Sequence, residues 1–392
     1  MVIAHTLNTP KTLRPQICAD KNLRGIGATI SEGSLTRKRS LCLSSLGFWK
    51  TLVLSVSQCL RVTLFSVRRF PRDCQAAGCK LFPMHVKILG SAAGGAFPQW
   101  NCACRNCASL RGGTFKGTAR TQTQVAVSED GRSWFLLGAS PDLRAQIEAT
   151  PQLHPRDGVR RSPIAGVVLT NADIDHVLGL LLLRELQPLC VYATASIRRI
   201  LQEDNSMFAM LNRVADQVQW ADIVPRESFS LDSVRGIVSG LTCEPVPLDT
   251  RYSAYVSKER AAQLVAGEAL LGLIIEAPSG KRMAFMPAVP KIDDDLLKCL
   301  DSTDLVLFDG TFWSDDELIQ VQGGGHTARQ MGHIPLSSPR GSLQQLAGLK
   351  RPRKIFLHIN NTNPILDSSS TQYREALAAG WQIAEDGWQI DL

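Results

Sequence analysis

Acidic, imidazole and amide side chains follow three separate apolar segments of the chain, at the point where each segment ends. The run AGVVLT leads into NADIDH at residues 171–176, LVLF leads into Asp309, and KIFL leads into His358. Taken singly, Asp309 could cap a turn and His358 could be a hydrogen-bonded core histidine. Loops at the carboxyl ends of strands converge over one crevice, however, and a buried acid or imidazole needs a partner. The threefold coincidence therefore predicts one shared site for metal binding or proton transfer.

Three cysteines with the spacing Cys102-x-Cys104-x-x-Cys107 form a second candidate site. Thiolates this close in sequence can share one tetrahedral zinc ion, with a fourth ligand from elsewhere in the chain. The alternative is a redox-active or free set of thiols. Eleven cysteines in 392 residues are too few for a disulfide scaffold, so we expect a structural zinc site in a reducing compartment.

The elements that must position these residues alternate between short apolar runs and helical stretches, which predicts an α/β fold of two sheet layers flanked by helices. A helix is also expected to begin at Ser140-Pro141-Asp142, as N-cap, first-turn proline and first-turn acid. Other predicted helices cover residues 177–186, 196–201 and 372–379. The predicted strands cover residues 85–90, 133–138, 164–170, 190–193, 270–276, 282–286, 304–308 and 354–359.

Charge and hydropathy separate an N-terminal segment, residues 1–83, from the rest. It holds 13 basic and 3 acidic residues, against 30 and 33 in the remainder, so the formal charge of +7 gives no reason to expect a nucleic-acid partner. We predict that residues 1–83 are an unstructured extension or a mis-assigned start, with Met84 as the initiator. The alternative is a disordered functional tail. Neither a membrane span nor a secretory signal is expected, which favours the cytoplasm.

The first site resembles that of the metallo-β-lactamase superfamily, which has a His-x-His-x-Asp-His loop after a strand and an apolar helix next. Aligned on Asp175 and His176, this chain has Asn171 and Asp173 where the superfamily has its first two histidines. The following VLGL matches the helix. The resemblance implies an αββα sandwich.

Two further superfamily ligands have counterparts in this chain: Asp309 matches the bridging aspartate and His358 the final histidine. No histidine lies between His176 and His326, so the usual third histidine is missing from its expected place. His333, in the loop after Asp309, is a possible substitute.

A closer resemblance, over Met84 to Leu392, is to the PqqB family of pyrroloquinoline quinone (PQQ) biosynthesis. It rests on the strings LGSAAGGAFPQWNCACRNC, TNADIDH, FDGTFW, MGHIPLS and LHINNTNPIL. The resemblance implies PQQ, a PQQ precursor and other PQQ-biosynthesis proteins as partners. It also implies catalytic roles for four residues of the metal site, Asp175, His176, Asp309 and His358. The whole expected set of active-site metal ligands is Asp173, Asp175, His176, Asp309, His333 and His358.

The oxygen donors of this set favour iron, manganese or a weakly held zinc over the usual dinuclear zinc centre. Two histidines with one carboxylate form the site of non-haem iron oxygenases, so we predict Fe(II)- and O₂-dependent hydroxylation of a tyrosine-derived PQQ precursor. One alternative is a zinc hydrolase of PQQ maturation, with Asp173 or Asp175 as base. The other is a soluble carrier that transports PQQ or its precursor towards the periplasm. A polycarboxylate ligand would then be neutralised by Arg120, Arg144, Lys291 or Arg329.

Overall fold

Fourteen strands form two seven-stranded sheets in the computed structural model, which describes residues 83–234, 236 and 238–392. The predicted extension, apart from residue 83, lies outside the described residues. The strands are β1 (His85–Gly90), β2 (Gln124–Ser128), β3 (Trp134–Leu137), β4 (Ile164–Val168), β5 (Leu189–Ala193), β6 (Val218–Asp222), β7 (Phe229–Asp232), β8 (Val238–Asp249), β9 (Leu270–Glu276), β10 (Arg282–Met286), β11 (Leu305–Asp309), β12 (Arg353–Leu357), β13 (Trp381–Ile383) and β14 (Gln389–Asp391). The sheet orders are β14-β1-β2-β3-β4-β5-β6 and β13-β12-β11-β10-β9-β8-β7.

Short helices lie on the outer faces of both sheets. The α-helices are α1 (Arg105–Arg111), α2 (Leu143–Glu148), α3 (Ile174–Val177), α4 (Ala195–Gln202), α5 (Lys258–Ala261), α6 (Asp294–Asp301), α7 (Glu317–Gln322), α8 (Ser342–Gln345) and α9 (Thr371–Ala378). The described residues also include the 3₁₀ segments Pro151–Leu153, Leu178–Leu183, Ser206–Asn212 and Pro364–Leu366. Among the residues that the structure describes, no helix is both long and apolar enough to cross a membrane.

Strand side chains alternate between a core shared by the two sheets and the outer helix layers. On β3, Phe135 and Leu137 point into the central cluster, whereas Trp134 and Leu136 pack with the helices outside. Leu273 of β9 meets the same central cluster from the other sheet. Because side chains alternate with a period of two, a strand buried on both faces is a continuous apolar run. The layers confirm the predicted αββα sandwich.

Parallel strands bring the predicted site segments to one edge of the molecule. In the first sheet β3, β4, β5 and β6 are parallel, and in the second β10, β11, β12 and β13 are parallel. The sheets are joined at this edge by backbone hydrogen bonds, from Leu271 N to Thr170 O (2.8 Å) and from Ile359 N to Ser91 O (3.0 Å). Segments that follow β4, β11 and β12 therefore meet where the two sheets touch.

Two helix predictions were wrong in detail. The helix expected to begin at Ser140 begins at Leu143, because Ser140 Oγ accepts a bond from Asp142 N and holds a turn before the helix. The helix expected over residues 177–186 is α3 followed by the 3₁₀ segment. Gly179 N donates to Ala139 O (2.9 Å), and a Cβ on Gly179 would lie 2.3 Å from Ser140 O, so this chain segment is bound closely to the preceding loop.

Candidate metal centre

The segment after β4 is a tight turn that brings Asp175 and His176 into the first turn of α3. Asn171 Oδ1 accepts from Asp173 N (2.9 Å), and Asp173 O accepts from His176 N (2.9 Å). The carbonyl of His176 accepts from Ala139 N (2.7 Å). Asn171, one of the residues at a superfamily histidine position, is therefore engaged in shaping the turn.

The second sheet supplies Asp309 and His358 from adjacent parallel strands. Asp309, the last residue of β11, pairs with Leu357 of β12, so His358 directly follows that pair. His358 has a left-handed backbone conformation (φ 56°), unusual for a residue other than glycine. Such conformations persist where the surroundings over-determine them and are concentrated at functional sites. Here Thr311 Oγ1 lies 2.9 Å from His358 O.

Asp175, His176 and His358 form a first group of candidate ligands. Asp175 Oδ2 lies 3.3 Å from His358 Nε2 and 3.7 Å from His176 Nε2. The two imidazoles are stacked, with ring centroids 5.5 Å apart. Burial alone would raise the pKa of Asp175, but the adjacent His176 and the contact with His358 together hold it below its ordinary value. Burial lowers the pKa of His176.

Asp309, His333 and His358 form a second group, which shares His358 with the first. Asp309 Oδ2 lies 2.8 Å from His333 Nδ1, and the rings of His333 and His358 stack at 5.3 Å. Within each group the possible ligand atoms all lie within 4.8 Å of one another. Burial opposes ionisation of both partners, but their mutual attraction prevails, so the pKa of Asp309 is lowered and that of His333 is raised.

The hydroxyl of Thr311 determines which nitrogens of these histidines carry protons. Its shortest contact, 2.6 Å to Asp309 Oδ1, assigns its single proton to that carboxylate. The hydroxyl oxygen is then available to accept from His358 Nδ1 (2.9 Å), and His358 Nε2 faces Asp175 Oδ2. An imidazole nitrogen and a carboxylate oxygen that converge in this way can bind one metal ion together. The donor set therefore fits a metal ion.

Asp309 is fully occupied by hydrogen bonds. Val289 N and His333 Nδ1 approach one carboxylate oxygen at 2.8 Å each, and the backbone and hydroxyl of Thr311 approach the other. An ionised carboxylate has about four acceptor positions, so Asp309 in this arrangement orients His333 in the way that outer-shell carboxylates orient metal-bound histidines. Asp173, also predicted as a ligand, lines the adjacent cavity but belongs to neither group.

An open cavity of about 1150 Å³ lies over both groups. Its wall includes His326, which is not among the predicted ligands, and Trp100, which is 87% exposed. Three of the predicted carboxylate-neutralising residues, Arg144, Lys291 and Arg329, do not line it. The fourth prediction, Arg120, is wrong because this residue is buried and its guanidinium donates to Ala384 O. Arg251, which no motif or predicted strand end marked, does line the cavity.

The three cysteines converge on Asn361, three residues after His358. Asn361 Nδ2 lies 3.2 Å from Cys102 Sγ, 3.6 Å from Cys104 Sγ and 3.4 Å from Cys107 Sγ. Burial raises the pKa of the Cys104 thiol to about 11. The three thiols are not paired in disulfides, and their sulfur atoms are close enough to hold one ion. An amide oxygen is a possible fourth ligand, and a side-chain amide is here directed at all three sulfurs.

Comparison with known proteins gives the family. Residues 133–359 match the beta-lactamase superfamily domain. Coenzyme PQQ synthesis protein B of Methylorubrum extorquens is 42% identical over 309 residues, which is 79% of this chain and 100% of that protein. The chain belongs to the PqqB family. The PqqB relative from Azotobacter vinelandii is 41% identical over the same shares of each chain.

Solved structures agree with this assignment. A Zn²⁺-bound PqqB from Methylobacterium extorquens has a TM-score of 0.72 and 42% identity, covering 79% of this chain and 100% of that one. A diphosphatase from the PhnP family, with a TM-score of 0.56 and 20% identity over 80% and 98% of the two chains, shares the fold alone. The resemblance to PqqB predicted from sequence is thereby confirmed.

Proposed function

We propose that this chain acts in PQQ biosynthesis as a metal-dependent hydroxylase of a tyrosine-derived precursor. The observation that carries the proposal is the group formed by Asp175, His176 and His358, which faces a cavity large enough for such a substrate. Two histidines and one carboxylate leave coordination positions open, as in non-haem Fe(II) oxygenases. Membership of the PqqB family supports the pathway.

The residues of the proposed centre divide into ligands and supports. Asp175, His176 and His358 would hold Fe(II), which when bound supplies O₂ activation. Thr311 and Asp309 fix the protonated nitrogens of His358 and His333. His333 would lie beside the ligands, held by the hydrogen bond between its Nδ1 and Asp309. Because these groups are largely buried, their orientation needs little reorganisation when a ligand arrives.

Asp173 is the proposed acceptor for a substrate proton. It lines the cavity, is only half-buried, and has no place in either ligand group. The preceding carbonyl, that of Ala172, accepts from Tyr255 Oη (2.5 Å), which holds this part of the loop in position. Such a carboxylate can take up the proton that the hydroxylated ring carbon releases when the ring regains aromaticity.

A structural zinc ion is proposed at the second site. Cys102, Cys104 and Cys107 would supply thiolates, and Asn361 the fourth ligand through Oδ1 after its amide turns over. The two Asn106 Nδ2 contacts, to Asn361 O and Asn363 O at 3.1 Å each, support this link between the cysteine loop and the loop that follows His358. Zinc here would therefore fix the backbone next to an active-site ligand.

Hydrolysis is the second candidate, because Asp309 and His333, once released from their mutual hydrogen bond, could complete a dinuclear zinc centre, and the related PqqB structure is Zn²⁺-bound. The carrier alternative is less well supported. Three acids line the cavity, Asp173, Asp175 and Asp249, and within the described wall the only arginine or lysine is Arg251. A tricarboxylate such as PQQ would be repelled by this surface unless metal were bound.

Isotope incorporation separates these functions. Hydroxylation puts one atom of O₂ into the ring and reduces the other to water, so the assay includes ascorbate as the two-electron reductant. We expect Fe(II)-loaded protein to transfer oxygen from labelled O₂ into tyrosine, used as the probe, and Asp175→Asn to lose at least about 100-fold in rate. The control Asp222→Asn, at an exposed ion pair, should retain the rate. Label from water rather than O₂, or cleavage of an ester probe by the zinc-loaded form alone, would favour hydrolysis. Retention of PQQ with no turnover would favour the carrier.

A further inference from the structure

Asp249 and Arg251 form an ion pair on the cavity wall that neither the ligand groups nor the zinc site uses. Arg251 Nε donates to Asp249 Oδ2 at 2.7 Å, and both residues line the cavity. Asp249 ends β8, and its second carboxylate oxygen accepts from Thr250 N (2.7 Å). The pair therefore projects from the end of a strand in the second sheet.

The guanidinium of Arg251 lies beside the segment that leads to His333. Its Nη1 donates to Gln330 O (3.3 Å), and a Cβ built on Gly332 would lie 3.4 Å from its Nη2. Gly332 immediately precedes His333. Within the described part of the chain, Nη2 of Arg251 donates to no acceptor. One nitrogen of this guanidinium is therefore left to bind a ligand.

The charges of the cavity divide between two regions. The first region holds Asp175, a member of the first ligand group, and the neighbouring Asp173. The second region holds Asp249 and Arg251, which offer a negative and a positive group side by side. Half of the Arg251 side chain and a fifth of that of Asp249 are exposed. An α-amino-acid head group carries the same two charges at similar separation, and a paired arrangement allows each to meet its opposite.

We propose that Arg251 binds the α-carboxylate and Asp249 the α-ammonium of the substrate. This inference rests on the proposed function for the tyrosine-derived character of the substrate, and it specifies that the amino-acid head group is intact. PQQ, which has carboxylates but no ammonium group, would be attracted by Arg251 and repelled by Asp249. The pair thus selects the amino-acid precursor over the finished cofactor.

Calorimetric titration of zinc-loaded protein with three ligands tests the pair. Each ligand contains the same phenol ring, and the three are tyrosine, tyramine and 3-(4-hydroxyphenyl)propionate. Tyrosine should bind at least about 10-fold more tightly than either analogue, since each analogue lacks one charge-assisted contact. Arg251→Gln should abolish the preference over tyramine, which has no carboxylate. Asp249→Asn should abolish the preference over the propionate, which has no ammonium group.

A matched ion pair far from this wall provides the control. Arg198 and Asp222 lie 3.0 Å apart and do not line the cavity, so Arg198→Gln and Asp222→Asn should keep both preferences. Equal binding of the three ligands by the wild type, no saturable binding of tyrosine, or unchanged preferences in the Arg251 and Asp249 variants would overturn the inference. Binding requires no turnover. A protein that selects tyrosine through this pair yet transfers no oxygen would contradict the hydroxylase and leave the inference standing.

Discussion

A single hydroxyl, that of Thr311, connects the two ligand groups at the scale of individual residues. It lies 2.6 Å from Asp309 Oδ1 and 2.9 Å from His358 Nδ1, so it joins a carboxylate of one strand to an imidazole of the next. Outer-shell partners of this type set the tautomer and the ring orientation of a metal-binding histidine. The affinity of the centre for metal should therefore depend on a residue that is not a ligand.

Replacing Thr311 by valine removes the hydroxyl with almost no change in shape. We expect Thr311→Val to weaken active-site metal binding by about 10- to 100-fold, because His358 loses the acceptor of its Nδ1 proton. The zinc of the cysteine site should remain. Competition with a chromophoric chelator measures the affinity, and Thr311→Ser, which keeps the hydroxyl, should bind metal as the wild type does. Equal affinities in all three proteins would exclude the assigned role.

Sequence reasoning could find Asp175, His176 and His358 because each follows an apolar strand, where a polar group is conspicuous. It could not assign Thr311, since threonine is common after strands and its role depends on the pairing of β11 with β12. Arg251 was not predicted, for a different reason. Its segment follows a strand with two prolines, so neither a strand end nor a motif marked it.

Helix α7 and the loop that carries Asn361 are joined by a buried carboxylate, that of Glu317. Its oxygens accept from Trp313 N (2.6 Å) and Thr362 Oγ1 (2.5 Å). Burial raises the pKa of Glu317 to about 7, well above the 4.5 of an exposed glutamate. The folded protein therefore binds this proton more tightly than the unfolded chain does, and this contribution to stability is present below pH 4.5 and is lost as the pH rises to 7.

Glu317→Gln should remove this pH dependence. A pKa shift of this size corresponds to roughly 3 kcal/mol. Between acidic and neutral pH, the free energy of unfolding of the wild type should therefore fall further than that of the variant, by about this amount. Urea unfolding of both proteins across this range measures the difference. Glu375→Gln, at an exposed position of α9, is the control and should follow the wild type. Parallel pH profiles for Glu317→Gln and the wild type would show that the carboxyl is not destabilised by burial.

Among the strands, prediction succeeded where apolar runs were continuous and missed a strand that is interrupted by proline. The strands β3, β4, β9, β10, β11 and β12 were all expected, within a few residues, from such runs. Strand β8 was not, because Pro245 and Pro247 lie within it and proline removes a donor from a sheet. Residues 242–249 of β8 nonetheless pair with the antiparallel strand β9.

The whole molecule brings the proposed centre together from two sheets. Asp175 and His176 follow a strand of the first sheet, whereas Asp309 and His358 belong to the second. The two ends of the described range 83–392 also meet, since β14 pairs with β1 and Met84 N donates to Leu392 O (3.1 Å). No single supersecondary unit holds a complete ligand group. Metal binding at the proposed centre should consequently be lost when the fold is lost, as in other sites built from separate elements.

The metal content of protein expressed from Met84 tests the central claim most directly, measured by elemental analysis on the wild type and on the His176→Ala and Cys104→Ala variants. The account predicts close to one equivalent of iron that is lost with His176, and zinc that is lost only with Cys104. A His176→Ala protein that retains every metal of the wild type would contradict the proposed centre.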